Sequence, residues 1–482
     1  MELYSGTEEF KLYHGSMLDM LSVIKPKSID SIVTDPPYEL NFMGKGWDNS
    51  GIAFQKETWE KCFQVLKPGG YLLAFGGSRT FHRIACAIED AGFEIRDTIM
   101  WLYGSGFPKS MNIGKAVEAK VLTGSANTQE FKNLQGTKAV ADNLGFCRQQ
   151  FQQGARPNDY TADGHYRTVD VDYQTAEGRK WDGWGTALKP AYEPIIVARK
   201  PCEGSCVDNI LMYGTGGLNI DGCRIGTDVI TTNGARKNPM AGDERTGKAL
   251  GMFQETEALN IDHNGRFPSN VILTYDDTDF QEVCGGMPTS GKANGSITKE
   301  YKMNNQVYGD YGYCNTFEAY QDSGSAARYY YCAKASKRDR DEGLEQFKVK
   351  TKVFNGKSDK SSNDMKDVEQ RFTTQCRNTH PTVKPVDLMQ YLVRLVTPPS
   401  GTVLDPFNGS GSTGKAVMYE NKDRGANYRY IGIELTKEYL PIAEARIRYA
   451  ANDNAPIEVP QLTMAGQITF EDLLGDSVQA NG

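Results

Sequence analysis

TVLDPFNGSGSTG, residues 402–414, is the stretch that decides the fold. Its apolar start predicts a buried strand that ends at Asp405, and the next segment, STGKAVMYEN, predicts a helix. A glycine-rich turn between a strand and a helix directs backbone N–H groups and a helix N-terminus towards the strand end. The stretch therefore predicts one unit of an α/β sheet, with a ligand at the carboxyl end of the strand.

The same alternation of apolar runs and helical segments extends on both sides of a polar middle. SIDSIVTDPPY (28–38) and GGYLLAFGG (69–77) predict strands of a parallel sheet, and KPAYEPIIVARK (189–200) and YRYIGIEL (428–435) predict further strands. The middle is rich in Gly, Asn, Gln and Tyr and predicts a less regular inserted part. We expect core segments at 1–103, 186–201 and 378–450, a long insertion at 104–185, a second domain at 202–377 and an acidic tail at 451–482.

The glycine-rich turn has three interpretations. The spacing G-x-G-x-x-G from Gly409 to Gly414 matches a dinucleotide fingerprint, with Glu434 at the end of a later strand to bind ribose hydroxyls. The spacing also approaches a P-loop, but Ala416 stands where a magnesium-binding hydroxyl is required. The third interpretation is a turn that only packs helix on strand. The preceding Asp-Pro-Phe favours a ligand with a cationic end and a flat adenine.

TDPPY, residues 34–38, ends another predicted strand. Its two prolines fix φ, have no N–H and leave carbonyl oxygens free to accept hydrogen bonds. Asp35 adds a carboxylate and Tyr38 adds a ring that can stack. Two acceptors and a π surface suit a planar nucleobase with an exocyclic amino group. The alternative is a rigid turn with an incidental acidic residue.

TDPPY and LDPFNGSGSTG together resemble the catalytic and S-adenosylmethionine-binding motifs of amino-directed DNA methyltransferases, which methylate adenine N6 or cytosine N4. The catalytic motif comes first, as in the permuted β class, and HPTVKPVDLMQYLV (380–393) is similar to the segment before the cofactor strand of that class. Gly15-Ser16 departs from the Gly-Asp usual there. The resemblance implies a Rossmann-like methyltransferase sheet with helices on both faces, plus a large inserted α+β target-recognition domain.

The resemblance also implies a role for each matching residue. The residues that hold the target base are Asp35, Pro36, Pro37 and Tyr38. The cofactor is S-adenosylmethionine, no metal is required, and the residues implied around the cofactor are Asp405, Pro406, Phe407, Asn408, Gly409, Gly411, Thr413, Glu434, Thr382 and Lys384. Within that set, Glu434 takes the ribose, and Thr382 and Lys384 lie beside the methionine end.

Composition and charge exclude other classes of protein. The chain has 482 residues, with 54 Lys and Arg against 61 Asp and Glu, so its net charge of −7 excludes a uniformly polybasic nucleic-acid binder. No run is apolar enough to span a membrane and the N-terminus lacks a signal pattern, so we expect a soluble, cytoplasmic protein. The ten cysteines are scattered, which argues against a disulfide framework.

DNA contacts are expected from local basic residues in the polar middle. Residues 331–384 contain 13 Lys or Arg and 8 Asp or Glu, a net charge of +5. Three consecutive tyrosines, Tyr329, Tyr330 and Tyr331, lie just upstream of KASKRDR in this segment. The insertion at 104–185 is also expected to face DNA. The alternative is a solvated surface of mixed charge. The candidate phosphate contacts are Lys334, Lys337, Arg338, Arg340, Lys109 and Arg266.

These features predict a site-specific methyltransferase that acts on adenine N6 in double-stranded DNA, because Asp precedes Pro-Pro-Tyr. Cytosine N4 is the first alternative, and an RNA methyltransferase or a catalytically silent DNA-binding protein are less favoured. A homodimer, a separate restriction nuclease, and a clamp contact through QLTMAGQITF (461–470) are compatible with the sequence but are not supported by it.

Overall fold

The computed structural model describes residues 2–40, 50–103, 110–126, 173–233, 260–275, 289–290, 297–303, 311–317, 324–325, 330–334, 337–353 and 373–453. The chain divides into two compact units. The sheet unit comprises residues 1–99 and 194–482, and the small unit comprises residues 100–193.

Short helices and strands alternate along most of the described chain. The helices are α1 Met17–Leu21, α2 Lys56–Val65, α3 Phe81–Asp90, α4 Ile113–Thr123, α5 Ala176–Lys180, α6 Cys206–Tyr213, α7 Lys337–Asp341, α8 Val386–Val396, α9 Ser412–Arg424 and α10 Leu440–Ala450. The strands are β1 Glu2–Gly6, β2 Phe10–His14, β3 Ile29–Thr34, β4 Leu66–Phe75, β5 Glu94–Tyr103, β6 Tyr192–Arg199, β7 Ile225–Asn233, β8 Asn260–Arg266, β9 Val271–Tyr275, β10 Thr289–Ser290, β11 Ile297–Met303, β12 Tyr311–Phe317, β13 Gly324–Ser325, β14 Tyr331–Lys334, β15 Lys350–Val353, β16 Thr373–Cys376, β17 Thr402–Asp405 and β18 Arg429–Glu434.

A mixed ten-stranded sheet organises the fold, with the order β1-β2-β18-β17-β3-β4-β6-β5-β9-β14. Its centre is five parallel strands, β2-β18-β17-β3-β4, in which Val403 of β17 lies opposite Ser31 of β3 and Glu434 of β18 lies opposite His14 of β2. Strand β6 then pairs antiparallel with β4, and β1 pairs antiparallel with β2. All five central strands therefore end at the same edge.

Helices cover both faces of this sheet. On one face, α1, α2 and α3 bury apolar side chains such as Trp59 and Ile84 against Ile32, Leu72 and Leu404 of the central strands. On the other face, α8, α9 and α10 pack on the same strands, and buried Ser31 Oγ lies 2.8 Å from Thr397 Oγ1 at the end of α8. The two faces alternate along each strand because successive side chains point to opposite sides. The predicted Rossmann-like α/β sheet is confirmed.

The structure adds elements that the sequence patterns did not predict. The N-terminal hairpin of β1 and β2 extends the sheet, and Gly15 N donates to Glu434 O at 3.0 Å. In the polar middle, the described residues form small antiparallel ladders, β7 with β8, β10 with β13, β11 with β12, and β15 with β16. The prediction of a separate domain at 202–377 and the other predicted boundaries remain predictions. Among the described helices, none is long and apolar enough to cross a membrane.

The small unit contains α4 and α5, which pack closely through glycines. Gly114 of α4 has no room for a side chain, because a Cβ there would lie 2.6 Å from the Tyr173 hydroxyl. Buried Glu118 of α4 accepts hydrogen bonds from the backbone N–H groups of Gln174 (2.6 Å) and Thr175 (3.2 Å). These bonds fix the start of α5 on α4.

Candidate active site

Three carboxylates meet at the edge where the central strands end. The chain continues from β3 to β4 on one side and from β17 to β18 on the other, so the strand order reverses between β3 and β17. Ligands of open α/β sheets bind outside the strand ends at such a reversal. Asp405 ends β17, Asp35 directly follows β3, and Glu434 ends β18. Sheet topology thus brings the two predicted motifs together.

Asp405 connects the strands and the following helix from a buried position. Its Oδ1 accepts from Thr34 Oγ1 at 2.6 Å and from Phe407 N at 3.1 Å, and its Oδ2 accepts from Thr413 Oγ1 at 2.7 Å. Burial raises the pKa of Asp405 to about 6, although these three donors favour the carboxylate. Asp405 therefore fixes β3, β17 and α9 relative to one another.

Glu434 holds the glycine-rich turn from the neighbouring strand. Its Oε2 accepts from Gly409 N at 2.7 Å and its Oε1 accepts from Thr436 N at 2.7 Å. Burial raises the pKa of Glu434 to about 7. The sequence predicted that Glu434 binds ribose, and the structure places its carboxylate beside the turn where a nucleoside is expected.

The glycines of the turn lie too close to neighbouring residues to carry a side chain. Gly409 has a φ of +52° and Gly411 a φ of +75°, a region that favours glycine. A Cβ at Gly409 would lie 2.9 Å from His380 Nε2, and one at Gly411 would lie 3.0 Å from Ala443 Cα. The turn, which we call the glycine cradle, therefore packs tightly against His380 and α10 at the strand ends. The adenosine or methionine part of S-adenosylmethionine is expected to bind there.

The two carboxylate oxygens of Asp35 lie in different environments. Its Oδ2 accepts from Lys384 Nζ at 2.7 Å, while Oδ1 is buried and has no hydrogen-bond donor among the described residues. A buried acceptor without a donor is costly unless a ligand supplies one. The free Oδ1 therefore fits an incoming N–H group.

Tyr38 and Lys384 complete this part of the edge. Lys384 Nζ also donates to Tyr38 Oη at 3.1 Å and lies 4.9 Å from the centre of the Phe75 ring. Thr80 Oγ1 donates to Tyr38 O at 2.8 Å and fixes the backbone there. The sequence placed Lys384 at the methionine end of the cofactor, whereas in the structure its ammonium group contacts the Asp-Pro-Pro-Tyr segment.

The remaining predicted site residues lie around the same edge. Asn408 is buried, its N–H donates to Ile433 O at 2.9 Å and its Oδ1 accepts from Tyr430 Oη at 2.7 Å. Pro406 and Pro36 are buried, Phe407 and Pro37 are half-buried, and Thr382 is exposed.

His380 lies at this edge, although the sequence analysis did not select it. Its Nδ1 pairs with Thr382 O at 2.5 Å, and its ring makes an edge contact with Tyr439. Burial lowers the pKa of His380 to about 4, so the ring is neutral at pH 7, with Nε2 as an acceptor beside Gly409. His380 is the first residue of the HPTVK sequence, but that sequence does not show that the residue lies close to the glycine-rich turn.

Arg446 is a second such residue, fully buried in α10. Its Nη1 donates to Ser410 O at 2.5 Å and to Ser410 Oγ at 2.9 Å, and its Nη2 donates to Asp339 O at 3.3 Å. It therefore supports the glycine-rich turn from behind. No local sequence pattern marks this role, because the contact depends on the packing of α10 against α9.

Of the six predicted DNA-contacting residues, the structure describes the side chains of Arg340 and Arg266, and both contact other parts of the protein. Arg340 is half-buried, and its Nη2 donates to His380 O at 2.8 Å and to Asn378 O at 3.4 Å. Arg266 is buried and its Nη1 pairs with Asp228 Oδ2 at 3.1 Å. Lys109 lies outside the described residues, and the side chains of three others are not described: Lys334, Lys337 and Arg338.

The chain is similar to known DNA methyltransferases. The DNA methylase family (N6_N4_Mtase) matches residues 29–445. The type II methyltransferases M2.LlaDCHI of Lactococcus lactis subsp. cremoris and M2.DpnII of Streptococcus pneumoniae are each 25% identical over 237 residues, covering 45% of this chain and 81% and 82% of the relatives. Among solved structures, the cytosine-N4-specific PvuII DNA methyltransferase is 12% identical with a TM-score of 0.39, over 92% of this chain and 90% of that chain.

The sheet, its strand reversal and the glycine cradle define a Rossmann-like α/β protein with a nucleotide-type ligand site. Because the family match spans most of its length, the chain belongs to the DNA methylase family. It is a DNA methyltransferase, and its cofactor is S-adenosylmethionine, as the sequence predicted.

Proposed function

We propose that this DNA methyltransferase methylates the exocyclic N6 of adenine within a specific sequence of double-stranded DNA. The observation that carries the proposal is Asp35, whose Oδ2 is held by Lys384 while its buried Oδ1 lacks a donor in the part of the chain that the structure describes. An amino group on a base supplies the missing donor. Tyr38, three residues further on, supplies the aromatic face on which a base can stack.

The target base must leave the duplex to reach this edge, which costs a few kcal/mol of lost stacking and pairing. Asp35 Oδ1 and the Pro36 carbonyl then accept the two N–H groups of the amine. These bonds orient the nitrogen lone pair and stabilise positive charge as it develops on nitrogen. The methylated nitrogen is acidic enough to lose a proton to water, so the reaction needs no stronger base.

The cofactor supplies an electrophilic methyl group on a sulfonium centre. The residues that would hold it are those of the glycine cradle, with Glu434 as an acceptor for ribose hydroxyls and Phe407 as an apolar surface. We add the Nε2 atom of His380, which faces Gly409 and can accept a hydrogen bond from a cofactor N–H or O–H group.

Adenine is favoured over cytosine because Asp, rather than Ser, precedes Pro-Pro-Tyr in this chain. The preference is a tendency of the family, and both bases present an exocyclic amine. Cytosine N4 is therefore the alternative product that the experiment must distinguish.

The test is to express the chain in cells that lack DNA methylation and to sequence their DNA with single-molecule detection of modified bases. We expect N6-methyladenine in one short sequence context. Asp35→Asn, which leaves the side-chain shape but removes the charge, should abolish it, whereas Asp90→Asn, at an exposed end of α3, should not.

One further measurement and the identity of the modified base decide how the result is interpreted. Calorimetric binding of S-adenosylmethionine should be retained in Asp35→Asn, which separates loss of chemistry from loss of the fold. N4-methylcytosine in place of N6-methyladenine would contradict the base assignment and keep the mechanism. Absence of any DNA modification from a cofactor-binding protein would contradict the proposed function.

A further inference from the structure

The small unit displays a turn whose apolar side chains point into solvent. Within the segment 181–189, Trp184 is 59% exposed and Leu188 is 93% exposed. Met111, which lies before α4, is 45% exposed. Large apolar side chains rarely cluster on a protein surface unless they contact a partner.

Internal hydrogen bonds hold this turn in place. Trp184 N donates to Trp181 O at 3.2 Å, and Ile113 N donates to Trp184 O at 2.9 Å. Ser110 Oγ accepts from the backbone N–H groups of Thr186 (2.9 Å) and Ala187 (3.2 Å). The exposed side chains are therefore presented on a fixed backbone, which lowers the entropic cost of binding a partner.

The Trp184 ring is also held by an aromatic neighbour. The rings of Trp181 and Trp184 meet edge to face with their centres 5.1 Å apart, and Lys180 Nζ lies 5.8 Å from the centre of the Trp181 ring. This arrangement leaves most of the Trp184 indole available to a ligand while fixing its orientation.

The charges around the turn are basic. Residues 179–189 contain Arg179, Lys180 and Lys189 but only one acidic residue, Asp182, whereas the whole chain has a net charge of −7. Asp182 Oδ1 already accepts hydrogen bonds from Tyr173 Oη at 2.8 Å and Gly183 N at 2.9 Å. Lys180 and Lys189 are exposed, and each can contact an anion.

We propose that this turn, with Trp184 at its centre and Lys180 and Lys189 beside it, is a contact surface for double-stranded DNA. The lysines match backbone phosphates, and the indole matches the apolar edges of deoxyribose and bases in a groove. A protein partner is less favoured, because interface centres are depleted in lysine. The proposal rests on the function proposed above, since it assigns part of the DNA surface of that enzyme.

The test measures binding of a fluorescent duplex to the full chain over a series of salt concentrations. Trp184→Ala should weaken binding about tenfold, and Trp184→Phe should restore most of the affinity. Replacing Lys180 and Lys189 together by alanine should make the negative slope of log K against log salt shallower by about 2. Leu211→Ser is the matched control, because Leu211 is 82% exposed on α6 of the other unit and should leave binding unchanged.

Two results would contradict the proposed DNA contact. Wild-type affinity and salt slope in all small-unit variants would overturn it, as would unchanged DNA binding combined with loss of a dimer in sedimentation, which would make the surface a protein interface. Failure of the proposed function has a different signature, because the wild-type chain itself would then leave DNA unmodified.

Discussion

Lys384 reaches Asp35 across 349 positions of sequence, and it donates hydrogen bonds to Asp35 and Tyr38. The Lys384 side chain is only 8% exposed, so its charge is stabilised mainly by this carboxylate and the nearby aromatic rings. With one oxygen of Asp35 held by the lysine, the other stays in a fixed position for the amine. At the residue scale, Lys384 positions the residue that we propose contacts the target base.

The contact between Lys384 and Asp35 predicts how Lys384→Met changes turnover. We expect the turnover number to fall about a hundredfold, because the Asp35 carboxylate loses its fixed orientation. The dissociation constant of S-adenosylmethionine should change little, and Lys384→Arg should recover part of the rate. Lys67→Met is the control, since Lys67 of β4 pairs with Asp30, near the start of β3, at 2.6 Å. Weaker cofactor binding with a normal rate at saturation would instead place Lys384 at the methionine end.

At the scale of elements, contacts made by α7, α9 and α10 support the glycine-rich turn. Arg446 of α10 holds Ser410, and Lys415 of α9 pairs with Glu342 at 2.8 Å, directly after α7. Arg340 of α7 donates to the carbonyl group of His380 at 2.8 Å. Arg340, which was predicted to contact DNA, also donates to the carbonyl group of Asn378 at 3.4 Å, and its contact with DNA remains a prediction. DNA contacts by Lys337 and Arg338 remain predictions.

We predict that Arg446→Met lowers both stability and cofactor affinity. Loss of this buried charge should reduce the free energy of unfolding by roughly 3 to 5 kcal/mol, because its partners lose their donors. Arg394→Met is a matched control: Arg394 pairs with Glu420, which is 1% exposed, at 2.5 Å between α8 and α9. Thermal unfolding should detect both losses, but titration of S-adenosylmethionine should show weaker binding only for Arg446→Met. Equal affinities in the two variants would contradict the role of Arg446.

At the scale of the whole molecule, three buried titratable groups at the strand ends link stability to pH. Burial raises the pKa of Asp405 to about 6 and of Glu434 to about 7, and it lowers the pKa of His380 to about 4. A raised carboxyl pKa contributes stability that is present below the ordinary pKa and is lost as the pH rises through the folded value. The histidine acts in the opposite sense, since its contribution is lost as the pH falls.

Glu434→Gln isolates one of these contributions. Relative to this variant, the wild-type chain should lose stability between about pH 4.5 and pH 7, by up to about 3 kcal/mol, because the folded protein must bury the ionised carboxylate. Chemical denaturation of both proteins across pH 4.5 to 8 measures the difference. A difference that is constant with pH would show that Glu434 titrates normally.

The sequence determined the elements that local patterns encode. The bounds of α8, Val386–Val396, follow from its apolar periodicity, and the turn at Gly409 and Gly411 follows from the need for glycine at positive φ. The turn formed by the Asp-Pro-Pro-Tyr segment after β3 could also be predicted, because consecutive prolines restrict the backbone conformation there.

The tertiary structure decided which distant side chains meet. Lys384 with Asp35, His380 with Gly409 and Arg446 with Ser410 are pairs that no local spacing reveals. Strand order sets which strand ends are neighbours, and burial then requires each charged group to find a partner from whichever element packs beside it. The sequence alone therefore specified the motifs, whereas the packing of helices on the sheet specified the contacts that hold them in position.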